Sequence, residues 1–483
     1  MNENQPPSAG DGSRELLLFQ MGPVQEFIAQ AATPSDLWAG SYLLSDLILA
    51  GINAVPDYSE GLVFPNLKDG SVLEAMKNKS IPTIPNRFLA FVPKGEGAEV
   101  ARKADKAVCE RLDELVRGGN LPPGAKVQAD QFLQTFWAIL ENPSPDMGKN
   151  YAAIGKRLAA RRSVREFKPW VEDPATKRDG RNGPKDFLSG KETALVDIDG
   201  LGRGAMNLLK MRLAVFKKKD KMTIQTKDDK YLAVIALDGD KMGATLSGLA
   251  DEPAHRDFSK RLAEFAMSAE GMMPENGVLL YAGGDDVLAV VPAKTAIDTA
   301  KNLSGAFAAK MKEVSLKNGQ GAVSASAGIA VGHAATPLLD LVHAAQDAEH
   351  RAKNDYGRNA LALSVLKRSG ETLQWGCKWD SAAFALHSEI VDTLKDELSA
   401  RFPYKLAAFL SPYELSADTK AEMEPVVMKE LEHVWERSSK ENSPARAKAE
   451  AYLHETFGLK RPQDFLNLFL CETFINRQRA EED

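Results

Sequence analysis

Cysteine is scarce in this chain: 483 residues carry three, at positions 109, 377 and 471. Three unpatterned cysteines exclude a disulfide scaffold and a four-cysteine zinc site, and point to a reducing compartment. The seven histidines, at 255, 333, 343, 350, 387, 433 and 454, are scattered and form no metal-ligand pattern. No apolar run approaches the ~20 residues of a membrane span, and the polar opening MNENQPPSAGDGS is not a signal peptide. A cytoplasmic protein with no membrane partner is therefore expected. Charge of one sign is also lacking. With 61 basic against 67 acidic residues the net charge is −6, unlike that of an autonomous nucleic-acid binder. Hydrophobic residues make up 44% of the chain, enough to fill the cores of the three or four domains its length suggests.

The most informative segment is LLYAGGDDVLAV (279–290). Two apolar, β-rich runs flank Gly283, Gly284, Asp285 and Asp286, which predicts a tight hairpin with two carboxylates at its tip. Gly-Asp is ordinary turn chemistry, so the tetrapeptide alone also fits a solvated turn. Adjacent aspartates repel, however, and a divalent cation gives them a purpose, because Mg²⁺ prefers hard carboxylate and phosphate oxygens. A second segment, YLAVIALDGDKMG (231–243), is another buried strand, with Asp238 and Asp240 at its end. The amphipathic stretch near 255–270 predicts a helix between the two. Strand, helix and hairpin then bring Asp238 beside Asp285 and Asp286 in an antiparallel sheet. Two-metal sites with ions about 4 Å apart activate an attacking hydroxyl and steady the leaving pyrophosphate. Asp240 is either a fourth ligand or a turn residue. Backbone N–H groups from Lys241 to Gly243, with Gly284 at the hairpin tip, could cradle a triphosphate.

A third segment extends the pattern: SASAGIAVG (324–332) reads as a strand, followed by a helix, a turn at Gly357 and a closing strand ending at Leu366. This order resembles the palm domain of GGDEF diguanylate cyclases and other palm-type cyclases and polymerases. That resemblance implies nucleotide-phosphate contacts for Lys353 and Arg358, which on their own would read as a solvated helix end.

The flanks narrow the resemblance. A strand running into Gly22-Pro23, a helix with Val24, Phe27 and Ile28, and the string Asp36-Leu37-Trp38-Ala39-Gly40-Ser41 are similar to the opening of one family. It is the large subunit of type III CRISPR–Cas effector complexes, Cmr (III-B) branch. FP (64–65), IPNRFLAFV (84–92), LDGDKMG, GGDD and RSGE (368–371) fit the same family. The resemblance implies an α+β fold with two ferredoxin-like palm domains, the second GGDEF/cyclase-like, plus an inter-palm insertion and a helical C-terminal domain. Expected boundaries are a disordered leader (1–13), a non-catalytic first palm (14–167), the insertion and helical linker (168–230), the second palm (231–366) and the helical domain (367–483). It further implies ATP as substrate, Mg²⁺ or Mn²⁺ as cofactor, and cyclic oligoadenylate or a related AMP-containing messenger as product. Asp238, Asp285 and Asp286 would carry catalysis and metal. Implied partners are the other Cmr subunits, both backbone and small helical ones, with guide RNA and target RNA reached through the complex.

Two departures from that family stand out. Many members open with a histidine–aspartate nuclease domain, yet no His-Asp dipeptide occurs, so no such DNase is expected. Members also place a cysteine-based zinc site between the palms. The matching stretch, KDFLSGKE (185–192), has Asp186 and Ser189 instead, so no zinc is expected and the loop should be held by packing. Basic clusters at 155–168 and 216–221 read as solvated faces or as contacts to RNA or a neighbouring subunit. The Pro/Gly/charge-rich segment 168–191 reads as exposed. From 371 onward the periodicity predicts helices throughout, with Trp375 and Trp379 on one helix face. Beside the synthetase reading stand two others: an idle-palm scaffold of the same complex, and a standalone palm-type nucleotide cyclase.

Overall fold

The computed structural model describes residues 13–56, 58–68, 70–78, 80–164, 183–220, 222, 230–314, 316, 323–387, 389, 401–438 and 444–480. The expected leader up to residue 12, the 168–182 part of the insertion and the last basic residues of both clusters lie outside them. Two copies of one topology dominate. The first sheet joins β1 (Arg14–Gly22), β2 (Leu62–Phe64), β3 (Arg87–Pro93) and β4 (Gln134–Leu140) in the order β2-β3-β1-β4, all antiparallel. Helices Pro34–Asn53 and Gly97–Gly118 complete a βαββαβ unit. A small two-stranded ribbon, β5 (Val196–Ile198) with β6 (Leu201–Arg203), follows.

The second sheet repeats the order with β7 (Tyr231–Gly239), β8 (Val278–Gly283), β9 (Asp286–Pro292) and β10 (Ala325–His333), then adds β11 (Ala360–Leu366) and β12 (Thr372–Lys378). Its order is β12-β11-β10-β7-β9-β8. β11 runs parallel to β10, the crossover being helix Leu338–Asn354. Alternation along β7 divides its side chains between two cores. Ala233, Ile235 and Leu237 pack with helices Glu252–Ser268 and Ala296–Met311 and with the C-terminal helices. Val234 and Ala236 share a core with the first palm.

The string beginning at Asp36 starts helix Pro34–Asn53 with a capping box. Thr33 Oγ1 accepts from Asp36 N (3.2 Å) while Asp36 Oδ2 accepts from Thr33 N (3.0 Å). Such a cap stabilises a helix by about 1 kcal/mol. Trp38, 1% exposed, donates from its indole to Ser80 O. The string therefore encodes a helix start and an anchor for the segment leading into β3.

Two expectations are corrected. Residues 372–378 are not helical: they form the edge strand β12, paired with β11 so that Trp375 stands opposite Leu363. The RSGE string is the hairpin turn before it, with Gly370 at φ +88° donating to Lys367 O. Trp375 is fully buried and donates to Tyr452 Oη, while Trp379 donates to Ala325 O, so the two tryptophans share no helix face. Helices do follow, at Phe402–Leu410, Glu424–Glu436, Pro444–Gly458 and Pro462–Ala480. The described part of the 168–191 segment is mostly exposed, Phe187 at 55%, with Asp186 buried at 1%, while the helix Ala205–Phe216 that follows buries Met206, Leu209 and Leu213 in the first-palm core. Second, the 185–192 loop is held by a carboxylate rather than by packing alone. Asp186 accepts from Leu188 N, Ser189 N, Asn207 Nδ2 and Gly204 N at 2.5–2.9 Å, and Ser189 Oγ donates to Glu192 Oε2 at 2.6 Å. The residues standing where cysteines were expected knit the loop together themselves.

Among the described residues no helix is long and apolar enough to cross a membrane.

Candidate active site

Antiparallel register builds the site. Leu237 of β7 pairs with Val287 of β9, which sets Asp238 across from Asp286. On the other side of β9, Gly283 pairs with Asp286, leaving Gly284 and Asp285 as a two-residue hairpin turn. Gly284 supplies the positive φ (+68°) that the first turn position needs. Asp238, Asp285 and Asp286 thereby each offer a carboxylate oxygen within 4.8 Å of the others. Three hard anionic oxygens with no cysteine or histidine among them suit Mg²⁺ or Mn²⁺.

Electrostatics shows the cost of the arrangement without a cation. Asp285 is pushed up to about 7, first by its removal from water and then by the charge of Asp286. Asp286 is raised as well, by loss of water. Its side chain is nevertheless exposed, so the upward push on it is the weaker of the two. Tyr281, whose hydroxyl donates to Gly283 O, is likewise raised, by burial and the two aspartates.

Helix Leu338–Asn354 brings the cation. Gly328 of β10 lets this helix touch the sheet: a Cβ there would lie 2.1 Å from Ala345 O and Glu349 N. The helix end then places Lys353 between two acids, paired with Asp238 Oδ2 and lying 2.6 Å from Glu349 Oε1. Burial, then the like charge of Arg358, lowers Lys353 to about 8, and burial raises Glu349 to about 7. Arg358 sits at φ +67° in the turn after the helix, half-buried, with Nη1 toward Lys353 O. Lys241 (φ +53°) and Gly243 are exposed at the start of the short helix Met242–Gly248 that follows β7.

Asp240, a fourth ligand or a turn residue by sequence, does not join the cluster. It is 5% exposed, and both its oxygens are engaged: Oδ1 accepts from Ser326 Oγ, Oδ2 from Ser324 Oγ and Asn359 N. It ties the ends of β7, β10 and β11 together. Two charged residues of the site escaped the sequence reading. Glu349 was legible only as the i−4 partner of Lys353. Arg87, inside the quoted IPNRFLAFV string, begins β3 of the first palm and lines a small cavity together with Asp285.

Comparison with known proteins agrees with this architecture. Residues 231–362 match the family profile "Cas10/Cmr2, second palm domain", and residues 16–117 match "CRISPR-associated protein Cmr2, N-terminal". The chain is 32% identical to the CRISPR system Cmr subunit Cmr2 of Pyrococcus furiosus (strain ATCC 43587 / DSM 3638 / JCM 8422 / Vc1), in a match covering 36% of this chain and 23% of that relative. Its fold is similar to a chain of the type III-B Cmr-beta complex in the apo state (TM-score 0.66, 11% identity, 96% of this chain and 82% of that one). A chain of the Csm1-Csm4 cassette solved with pppApApA is also similar (TM-score 0.52, 12% identity, 98% and 71%). Residues 16–117 and 231–362 thus carry the sequence signatures of Cmr2 and Cas10/Cmr2 proteins, and the fold is shared across nearly the whole chain.

Proposed function

We propose that this chain is the nucleotidyltransferase subunit of a type III-B (Cmr) RNA-guided complex. In this reading it makes cyclic oligoadenylate, or a related AMP-containing messenger, from ATP when target RNA binds. The observation that carries the reading is the convergence of Asp238, Asp285 and Asp286 within 4.8 Å, with Asp285 lining a cavity between the two palms. Folding alone gives no reason to concentrate such charge, and the raised carboxyls show that it is destabilising until a cation arrives. Mg²⁺ or Mn²⁺ held by these acids would make the acceptor's ribose hydroxyl a better nucleophile and offset charge on the departing pyrophosphate. The acceptor oxygen would form a new bond to the donor's α-phosphorus as the bond to pyrophosphate breaks. Lys353, relieved of Asp238 when that acid takes a cation, would turn its ammonium to the triphosphate. Arg358 and the backbone at Lys241, Gly243 and Gly284 would hold the same phosphates. The similarly folded Csm1-Csm4 cassette, solved with pppApApA, supports adenylates as the substrate class. Other Cmr subunits, guide RNA and target RNA would be the partners.

The test is ATP turnover by the assembled complex with Mg²⁺ or Mn²⁺, with and without matching target RNA, with products identified by mass spectrometry. The expected outcome is oligoadenylates that require target RNA and vanish in an Asp285→Ala/Asp286→Ala variant. ATP left intact under every condition would instead support the idle scaffold.

A further inference from the structure

One cation in the acidic cleft comes from the opposite palm. Arg87 opens β3, and the segment before it is pinned on both sides. Ser80 O accepts from the Trp38 indole, Ile84 O from Ser45 Oγ, and Pro82 O from Ala282 N of the catalytic hairpin. Asn86 donates from its side chain to Met21 O. The backbone that carries Arg87 is therefore fixed against the first-palm helix and the second-palm strand β8 together. The guanidinium itself is half-buried and, among the described residues, makes no hydrogen bond or ion pair. Its positive charge nevertheless acts on Asp285 and Asp286, holding both carboxyls lower than burial alone would leave them.

Among the described residues Arg87's five donors have no protein partner and its nitrogens stay open to solvent, so water fills them until a stronger acceptor arrives. Arg87 and Asp285 line a cavity of about 30 Å³ between the palms. Ser259, 2% exposed with its hydroxyl lacking a partner, lines it too. The rest of the cavity's lining is mostly apolar, Leu18, Val63, Phe64, Leu89, Met242 and Phe258 among it, and it is too small for a nucleobase, so only a small group such as a phosphate oxygen meets Arg87 there. A fork of N–H donors matches a phosphate, and guanidinium cannot be neutralised by losing its proton.

We propose that Arg87 is a phosphate-binding residue of the nucleotide site, facing the acid pair in the cation-free protein and taking the polyphosphate of the nucleotide once cations neutralise those acids. The proposal rests on the nucleotidyltransferase reading and adds to it a first-palm contact, so that phosphate binding spans both palms. Two effects of opposite sign follow from one charge. Removing Arg87 weakens binding of a polyphosphate. It also strengthens binding of a free divalent cation, because a like charge leaves the cleft.

Equilibrium binding to the full chain, in Ca²⁺ to prevent turnover, compares ATP with AMP for wild type, Arg87→Gln and Arg87→Lys. Mn²⁺ binding without nucleotide is measured in parallel by electron paramagnetic resonance. Arg87→Gln is expected to weaken ATP at least about tenfold, the loss of one charge-assisted fork. AMP should change by less than about twofold, Mn²⁺ should bind more tightly, and Arg87→Lys should fall between. ATP affinity unchanged in Arg87→Gln would overturn the proposal. So would a joint loss of ATP, AMP and Mn²⁺ binding with a lowered Tm, which would make Arg87 a structural residue. Wild type failing to bind ATP at all would instead sink the nucleotidyltransferase reading, and Arg87's role with it.

Discussion

At the scale of single residues, the site is a place where stability is given up. Asp285 carries a carboxyl raised from the ordinary range to about 7, so its charged form is less welcome in the folded chain than in the unfolded one. The sign of the pH dependence follows. Above about pH 7 the penalty is fully present, it fades as the carboxyl protonates, and it is gone near pH 4, where the unfolded chain binds the proton too. Asp285→Asn should therefore raise the Tm of the protein in EDTA at pH 8, by at least about 2 °C. The gain should shrink steadily on acidification, and Mn²⁺ should no longer stabilise the variant as it does wild type. Calorimetry across pH 4–8 decides the matter: a variant less stable than wild type at pH 8 would show that Asp285 is a structural residue. Asp240 marks the contrast. Two aspartates spaced i and i+2 at one strand end look alike in sequence, yet Asp238 faces the cleft while the Asp240 carboxylate satisfies Ser324, Ser326 and the Asn359 amide.

Among elements, the helix Leu338–Asn354 decides how Lys353 and Glu349 meet the acids, and its depth is set by Gly328. Gly328→Val would put side-chain atoms where Ala345 O and Glu349 N now lie, so the helix has to move outward. The expected result is a drop in turnover of about a hundredfold, as for other misplacements of roughly 1 Å, with β-sheet circular dichroism retained. Wild-type turnover would mean that Lys353 is not needed where it stands. Such elements also show what a sequence discloses. β7, β8, β9 and β10 were legible because buried strands are written as short β-branched runs bounded by glycine and aspartate, and the GGDD hairpin fixes its own register. β12 was not. Trp375 and Trp379 are four apart, which suits a helix face, but the turn chemistry of Arg368-Ser369-Gly370 and pairing to β11 outweigh that spacing. Arg87 and Glu349 stayed hidden for a different reason. Their partners lie far along the chain or on the next helical turn, and nothing local in the sequence distinguishes them from surface charges.

For the molecule as a whole, the second sheet is a middle layer. One face shares its core with Phe402, Trp435, Phe465 and Phe469 of the C-terminal helices, the other with Leu43, Leu47 and Phe88 of the first palm. Polar contacts cross the same boundary: Arg14 pairs with Glu252 at 3.0 Å, and Arg256 donates to Leu62 O and Glu60 O at 2.5 Å. The second palm cannot stand alone, because removing the first palm uncovers Val234, Ala236, Leu280, Val290 and Ala330 as one continuous apolar face. Residues 230–480 expressed without the first palm should therefore aggregate or bind a hydrophobic dye strongly, with a broad thermal transition, whereas co-expression with residues 13–220 should restore a single sharp one. A monodisperse fragment with its own cooperative unfolding would show that the shared core is dispensable.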